Sequence, residues 1–177
     1  VLLDLIKGLY ALSPENKAFL RTKLSPAGQD AELLEKSRKQ IIRAIYPENV
    51  RIPGHGPRFG ESRKIIRAYQ KATGDALGTL DLMLTHIERG AQFTLDFGDI
   101  DEPFYNALET MLENTIELLL KSPNALELFA AFSPRFDRLE RSTHDIGWGF
   151  GDAVSDGMGE LRRKMGAYNS RTRSLLP

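Results

Sequence analysis

The segment that decides the fold is residues 77–90, LGTLDLMLTHIERG. Its apolar residues recur three and four positions apart, at Leu77, Leu80, Leu84 and Ile87. This spacing places them on one face of an α-helix, because the helix repeats every 3.6 residues. Gly74-Asp75 precedes the segment and Gly90 closes it, so we predict a helix between these limits.

The segments before this helix carry start and stop signals for others. Ser13-Pro14-Glu15 combines a capping residue, a proline and an acid, which predicts a helix from Pro14 to about Leu24, stopped by Ser25-Pro26. Asp30 is the predicted cap of the next helix, which Pro47 ends. Residues 47–60 form the one long irregular connection, and a further helix is predicted over residues 60–73. The helix that Pro47 ends has a predicted apolar face of Leu34, Ile41, Ala44 and Ile45. The helix over residues 60–73 has a predicted apolar face of Ile65, Tyr69 and Ala72.

The segments after it continue the pattern. A helix is predicted to start near Asp101, and Ser122-Pro123 and Ser133-Pro134 repeat the Ser-Pro start signal for two more. A last helix lies beyond residue 150. The helix that starts near Asp101 is predicted to bury Phe104, Leu108, Met111, Leu112, Thr115 and Leu119. The last helix is predicted to bury Val154, Met158, Leu161 and Met165.

These signals predict an all-α fold. No stretch shows the period-two alternation of a strand, and β-branched residues are sparse. We expect seven to nine short antiparallel helices in a bundle or a short superhelical stack. The 177 residues suit one helical domain spanning residues 1–177, and the apolar run already under way at Val1 suggests that the natural chain begins earlier.

Composition narrows the function classes. The chain has 24 basic and 24 acidic residues, and this neutral balance makes nucleic acid an unlikely partner. It has no cysteine, which excludes disulfides and thiolate chemistry and fits a cytoplasmic protein. No apolar run approaches the roughly 20 residues of a membrane span, so we expect no membrane contact.

Charge is nevertheless unevenly placed, with a basic island at residues 51–71. Arg63, Arg67 and Lys71 form a stripe one helical turn apart, and the Gly- and Pro-rich loop before it leads to a helix start, where free N–H groups favour an anion. The alternative is a solvated helix face. The anion-binding candidates are Arg51, His55, Arg58, Arg63, Arg67 and Lys71.

Residues 96–117 are the acidic counterpart and contain no Lys or Arg. Glu109, Glu113 and Glu117 repeat the one-turn spacing. Three interpretations stay open: contact with a basic partner, pairing with the basic stripe inside the fold or across a homodimer, and a solvated face.

Two short segments are candidates for a ligand pocket. Four carboxylates at residues 96–102 suggest either a calcium or magnesium loop or the capping of a helix by Asp99 or Asp101. In residues 142–152, three glycines flank the only tryptophan, which suggests either a tight helix crossing or a pocket floor. The pocket candidates are Asp99, Asp101, Glu102, Tyr105, Asn106, His144, Asp145, Trp148 and Asp152.

The strings GDIDEPFYN at residues 98–106 and IGWG at residues 146–149 carry a resemblance. With residues 63–72 and the opening SPENK, they resemble an uncharacterised bacterial family of helical proteins of about this length, classed as a domain of unknown function. The resemblance implies an all-helical fold and relatives that start before Val1. It implies no activity, so no catalytic residue is carried over.

No catalytic motif, metal set or cofactor-binding fingerprint is present in the sequence. A metal site built from Glu140, His144 and a distant carboxylate is a minor alternative. The leading hypothesis is a non-enzymatic interaction or adaptor domain that uses a groove between helices to bind another protein or a second copy. Its rivals are a ligand-binding protein or enzyme with a pocket around Trp148, and weak nucleic-acid binding through the basic island. We predict no cofactor and no metal.

Overall fold

The computed structural model describes residues 2–13, 16, 20, 29–47, 56–147 and 149–174. These ranges contain seven helices and no strand, which confirms the all-α prediction. The helices are α1 (Leu2–Leu12), α2 (Gln29–Ile45), α3 (Phe59–Thr73), α4 (Ala76–Phe97), α5 (Glu102–Lys121), α6 (Ala125–Thr143) and α7 (Phe150–Ser174). Among the residues searched, no helix has the length and apolar content to span a bilayer.

Helix α4 is the centre of the fold. It packs against α2, α3, α5 and α6, while α7 packs outside it against α5 and α6. Because neighbours surround α4, it buries residues on most of its circumference, including the predicted Leu80, Leu84 and Ile87. Leu77 in its first turn is 51% exposed, so that part of the predicted face is wrong. The helices form a bundle rather than a superhelical stack.

The prediction that Gly90 ends this helix is also wrong, since α4 continues to Phe97. Gly90 instead lies where α5 approaches most closely. A Cβ atom at position 90 would lie 2.3 Å from Cδ2 of Leu108, a separation that packed atoms do not tolerate. The glycine therefore permits helix contact and does not act as a stop.

The buried face of α3 is rotated from the predicted one. The structure buries Ser62, Ile66, Tyr69 and Thr73, whereas Ile65 is only partly buried and Ala72 is exposed. Ser62 faces inward because its hydroxyl lies 2.7 Å from Nδ1 of the buried His86 on α4. A buried polar pair thus sets the rotation of a helix whose apolar residues alone indicated another face.

Two predicted helix starts differ from the starts that the structure shows. Ser133-Pro134 lies inside α6, which runs unbroken from Asn124 as its cap. The helix is anchored on both sides of Pro134, by Phe132 before it and Phe136 after it, and this packing outweighs the local cost of proline. Asp30 lies in the first turn of α2 rather than at its cap.

The predictions for α5 and α7 are confirmed. Each predicted apolar position of these two helices is buried. Asp101 caps α5, since its carboxylate accepts a hydrogen bond of 2.9 Å from the backbone N–H of Phe104. This contact is one of the two capping interactions predicted for the acidic segment.

Part of the predicted pattern lies outside the described residues, namely most of the helix over 14–24, the 48–55 segment with Arg51 and His55, and Trp148. At the start of the predicted 14–24 helix, the Ser13 hydroxyl accepts a 3.1 Å hydrogen bond from the Asn16 N–H, which is the predicted capping contact.

A charged cluster joins α4 to two of its neighbours, α2 and α6. The Asp81 carboxylate accepts hydrogen bonds from Arg38 on α2 (2.8 Å) and from Arg135 on α6 (2.7 Å). Arg135 also makes a two-pronged contact with Glu88, at 2.8 and 2.6 Å. The side chains of Asp81 and Arg135 are only 17% and 18% exposed, so these pairs are poorly screened by water. This cluster fixes α2 and α6 against the central helix.

We expect Asp81→Asn to lower the free energy of unfolding by about 3 kcal/mol, because two arginines would lose their shared carboxylate in a partly buried position. Equilibrium urea denaturation measures this change. Asp137→Asn is the matched control, since Asp137 also pairs with an arginine, Arg162, but on an exposed surface, where the expected loss is below about 1 kcal/mol. Equal losses in the two variants would show that the cluster has no special role.

Candidate functional site

Two open grooves flank α5, and each encloses about 560 Å³. The first, which we call the α5–α7 groove, lies between α5 and α7. The second, the α3–α5 groove, lies between α3 and α5 and reaches Met83 of α4. Helix α5 therefore forms one wall of both, and Glu117 and Lys121 at its C-terminal end line both.

The walls of the α5–α7 groove run in the same direction. Near the N-terminal ends of the two helices, the rings of Tyr105 and Phe150 are 6.2 Å apart. Further along, Gly157 faces the Ile116 side chain, whose Cδ1 would be 3.1 Å from a Cβ at that position. Two parallel helices held at this short distance form a straight, regular channel.

The floor of the α5–α7 groove is apolar. Leu112, Ile116 and Leu120 follow one another at one-turn spacing on α5. On α7 the part of the wall beside this floor is formed by Ala153 and Gly157, which are too small to fill the channel. A partner therefore has access to aliphatic surface at the bottom.

The rims of the same groove are acidic. Five carboxylates and two lysines line it: Glu109, Glu113, Glu117, Asp156, Glu160, Lys121 and Lys164. Lys121 pairs with Glu117, and Lys164 pairs with Glu160 at 2.6 Å and holds the pKa of that carboxyl below its usual value. The remaining carboxylates have no cation partner among the described residues. An uncompensated negative charge thus borders an apolar channel.

The α3–α5 groove has the opposite character. Arg63 and Arg67, one turn apart on α3, stand above a floor of Ile66, Met83 and Met111. Glu117 on the facing wall belongs to the acidic stripe, so the two predicted stripes do face each other here. They make no direct ion pair in the described part of the chain, because Glu117 is bonded to Lys121 instead.

The structure brings together part of the pocket predicted around residue 148. The Tyr105 hydroxyl donates to Asp99 at 3.0 Å, and the same carboxylate lies against Gly147. Burial of Tyr105 raises the pKa of its hydroxyl, which stays protonated as the donor. These contacts join the loop before α5 to the loop before α7, so the two sequence strings that suggested a pocket meet in space.

The other pocket candidates that the structure describes do not converge on a cavity. Asp101 is the cap of α5, and Glu102, Asn106 and Asp152 are exposed. His144 and Asp145 bond to each other at 2.9 Å while 84% and 99% exposed, and this pair raises the pKa of the imidazole. Gly151, in the first turn of α7, permits a close helix crossing, since a Cβ there would lie 2.5 Å from the Thr143 carbonyl oxygen.

The remaining anion and metal candidates are held apart. Arg58 precedes α3, but its guanidinium is bonded to Glu61 at 2.7 Å, and Lys71 is exposed at the other end of the helix. Glu140 is bonded to Arg162 at 2.6 Å and not to His144. No group of three potential metal ligands occurs within the ranges that the structure describes.

Sequence reasoning missed the α7 side of the acidic channel. Asp156 and Glu160 are one turn apart, opposite the buried Val154 and Met158, and this spacing was a readable signal. It is informative only once α7 is known to lie beside α5, a contact between segments distant in sequence.

Comparison with known proteins gives no family assignment. No protein-family model matches the chain, and no curated protein or solved structure is significantly similar to it. The resemblance to a bacterial family therefore stays a prediction.

A buried titratable group lies behind the α3–α5 groove. His86 is fully buried on α4, one turn after the groove residue Met83, and its ring lies 5.0 Å from that of Phe59. Its Nε2 has no hydrogen-bond partner in the described part of the chain. Burial, with a smaller contribution from the nearby charge of Arg63, lowers the pKa of His86 to about 3.

This imidazole should make the fold sensitive to acid. In the unfolded chain His86 takes up a proton below its usual pKa of about 6.5. In the folded protein the His86 ring stays neutral down to about pH 3, so a falling pH favours unfolding. Between these limits we expect His86 to remove about 1.4 kcal/mol of stability per pH unit. The measurement is urea denaturation of the wild type and of Ser62→Ala/His86→Phe at several pH values.

The double variant removes the titrating ring together with the hydroxyl bonded to it. Its stability should fall less steeply with acidification than that of the wild type, because the destabilising protonation of His86 is removed while the other titrating groups are the same in both proteins. Parallel curves for the two proteins would contradict a buried neutral His86.

Proposed function

We propose that the protein is a non-enzymatic interaction domain whose α5–α7 groove binds a basic amphipathic helix of another protein. The observation that carries this proposal is the combination of an apolar floor with acidic rims in one straight channel. A helix with an aliphatic face and flanking Lys or Arg residues complements both features. The partner is defined by this chemistry alone.

The dimensions support a helical occupant. The lining residues run from Glu109 to Lys121 on α5 and from Ala153 to Lys164 on α7. At a rise of 1.5 Å per residue, each wall is about 17 Å long, or about three helical turns. The aliphatic residues of the floor are spaced by one turn, which is also the spacing at which an amphipathic helix presents its own apolar side chains.

The unpaired carboxylates of the groove favour a positively charged partner. Glu109, Glu113 and Asp156 have no cation partner among the described residues, although the whole chain is electrically neutral. A basic helix would neutralise these three carboxylates, which have no ion pair of their own to lose among the described residues. Such rim pairs chiefly raise the association rate and select the partner's charge, while the apolar floor supplies most of the affinity. The proposal keeps the cytoplasmic setting predicted from the sequence.

The test uses a synthetic amphipathic peptide of about three helical turns, with Leu on one face and Lys on its flanks. Isothermal titration calorimetry should show binding to the wild type that weakens as salt rises. Glu109→Lys/Glu113→Lys/Asp156→Lys should weaken it at least about tenfold, which corresponds to about 1.4 kcal/mol. Ala153→Leu, which fills the channel without changing its charge, should weaken it as well.

Matched controls separate the groove from general electrostatics. Glu32→Lys/Glu127→Lys reverses two exposed carboxylates on α2 and α6, helices that do not line the channel, and should leave binding unchanged. A peptide of the same composition with its leucines scattered around the helix should bind poorly. If the scattered peptide binds equally well, or if the control variant loses affinity as the groove variant does, the proposal fails. Sedimentation of the protein alone tests whether a second copy is the occupant instead.

A further inference from the structure

The α3–α5 groove is a second feature with the character of a binding site, and the proposed helix-binding function does not use it. Four residues of α3 face the groove, at the spacing of one helix face: Arg63, Ile66, Arg67 and Gln70. Opposite them, α5 contributes Thr110, Met111, Asn114 and Leu118, and Met83 of α4 closes the bottom. The groove thus has cations on one wall and a continuous apolar floor.

The two arginines are available to an anion. Neither makes an ion pair with a described carboxylate, and Arg67 uses only its Nε, which donates to the Arg63 carbonyl oxygen at 3.3 Å. Glu117, the acidic residue that lines the facing wall, is already bonded to Lys121. A guanidinium presents two parallel N–H donors, which match the two oxygens of a carboxylate.

The apolar floor suits an aliphatic chain. Met83 and Met111 are nearly buried, and Leu118 and Ile66 extend the same surface. Methionine side chains are flexible and polarisable, so they adapt to a chain without a fixed shape. Gln70 adds an amide at the rim, close to the arginine wall.

The dimensions favour a small molecule over a helix. The α3 wall runs only from Arg63 to Gln70, about 10 Å, which is shorter than either wall of the α5–α7 groove. The volume of about 560 Å³ accommodates a small ligand, but it equals that of the α5–α7 groove, so the length of the α3 wall is what distinguishes the two grooves.

We propose that the α3–α5 groove binds a small amphiphile with one carboxylate and an unbranched alkyl chain. The carboxylate pairs with Arg63 and Arg67, and the chain lies along Ile66, Met83, Met111 and Leu118. Glu117 and Lys121 on the facing wall pair with each other, so the two arginines are the charges that select an anionic head.

The four methionines of the chain provide a direct readout. Met83 and Met111 line the groove, whereas Met158 and Met165 are buried on α7 and do not. In protein labelled with ¹³C at the methionine methyl groups, decanoate below its micelle concentration should shift the signals of Met83 and Met111 in a saturable way. The signals of Met158 and Met165 should stay in place, and they also report that the fold is intact.

Comparison probes test each half of the ligand. Decanol has the chain without the charge, acetate has the charge without the chain, and decyl phosphate carries a different head. We expect decanol and acetate to bind at least about tenfold more weakly than decanoate, and decyl phosphate to bind no more tightly than decanoate. Decanol binding as tightly as decanoate would overturn the arginine contact, acetate binding as tightly would overturn the apolar floor, and tighter binding of decyl phosphate would overturn the carboxylate assignment.

The variants place the ligand in the groove. Arg63→Gln/Arg67→Gln should weaken decanoate binding at least about tenfold, since both charged contacts are lost. Lys64→Gln removes one positive charge from the same helix at an exposed position outside the groove and should change the affinity less than about twofold. Unchanged binding in the arginine variant, or equal loss in the lysine variant, would refute the proposal. Basic-peptide binding in the α5–α7 groove should survive the arginine change, so the two proposals fail separately.

Discussion

The structure depends on the burial of α4 on most of its sides. A helix in this position needs neighbours all round, and α2, α3, α5 and α6 supply them. Its apolar side chains are packed against these helices, and polar contacts join it to individual neighbours: the partly buried Asp81 bonds to Arg38 and Arg135, and Nδ1 of the buried His86 bonds to Ser62. Because unpaired buried polar groups are costly, each of these pairs allows only one rotation of the neighbouring helix.

The grooves follow from this arrangement. Helix α5 buries one face against α4, with Leu108 fitted onto Gly90, so its flanks remain beside α3 and α7. Small residues on α7 and a polar wall on α3 leave both flanks incompletely filled. The bundle therefore presents one helix with an acidic channel on one side and a channel with two arginines on the other.

The sequence predicted those features that depend on a single helix. The faces of α5 and α7 and the Asp101 cap were readable because spacing and capping chemistry are local. The face of α3 was not, because Ser62 is buried through His86, a partner distant in sequence. Ser133-Pro134 predicts a helix start and Gly90 a helix end because their local preferences are real, but packing outweighs them here. The α5–α7 groove needed the pairing of two helices separated by α6, which periodicity cannot give.

The two grooves are electrostatically linked through the Glu117–Lys121 pair, which lines both. A basic helix bound in the α5–α7 groove as proposed would compete for Glu117 and release Lys121 from its partner. The freed lysine adds positive charge to the α3–α5 groove, where it attracts a carboxylate, and the shielded Glu117 repels that carboxylate less. Since linkage is reciprocal, a bound carboxylate favours the basic helix to the same extent. An exposed pair of this kind contributes at most about 1 kcal/mol, so the coupling it carries is less than about tenfold.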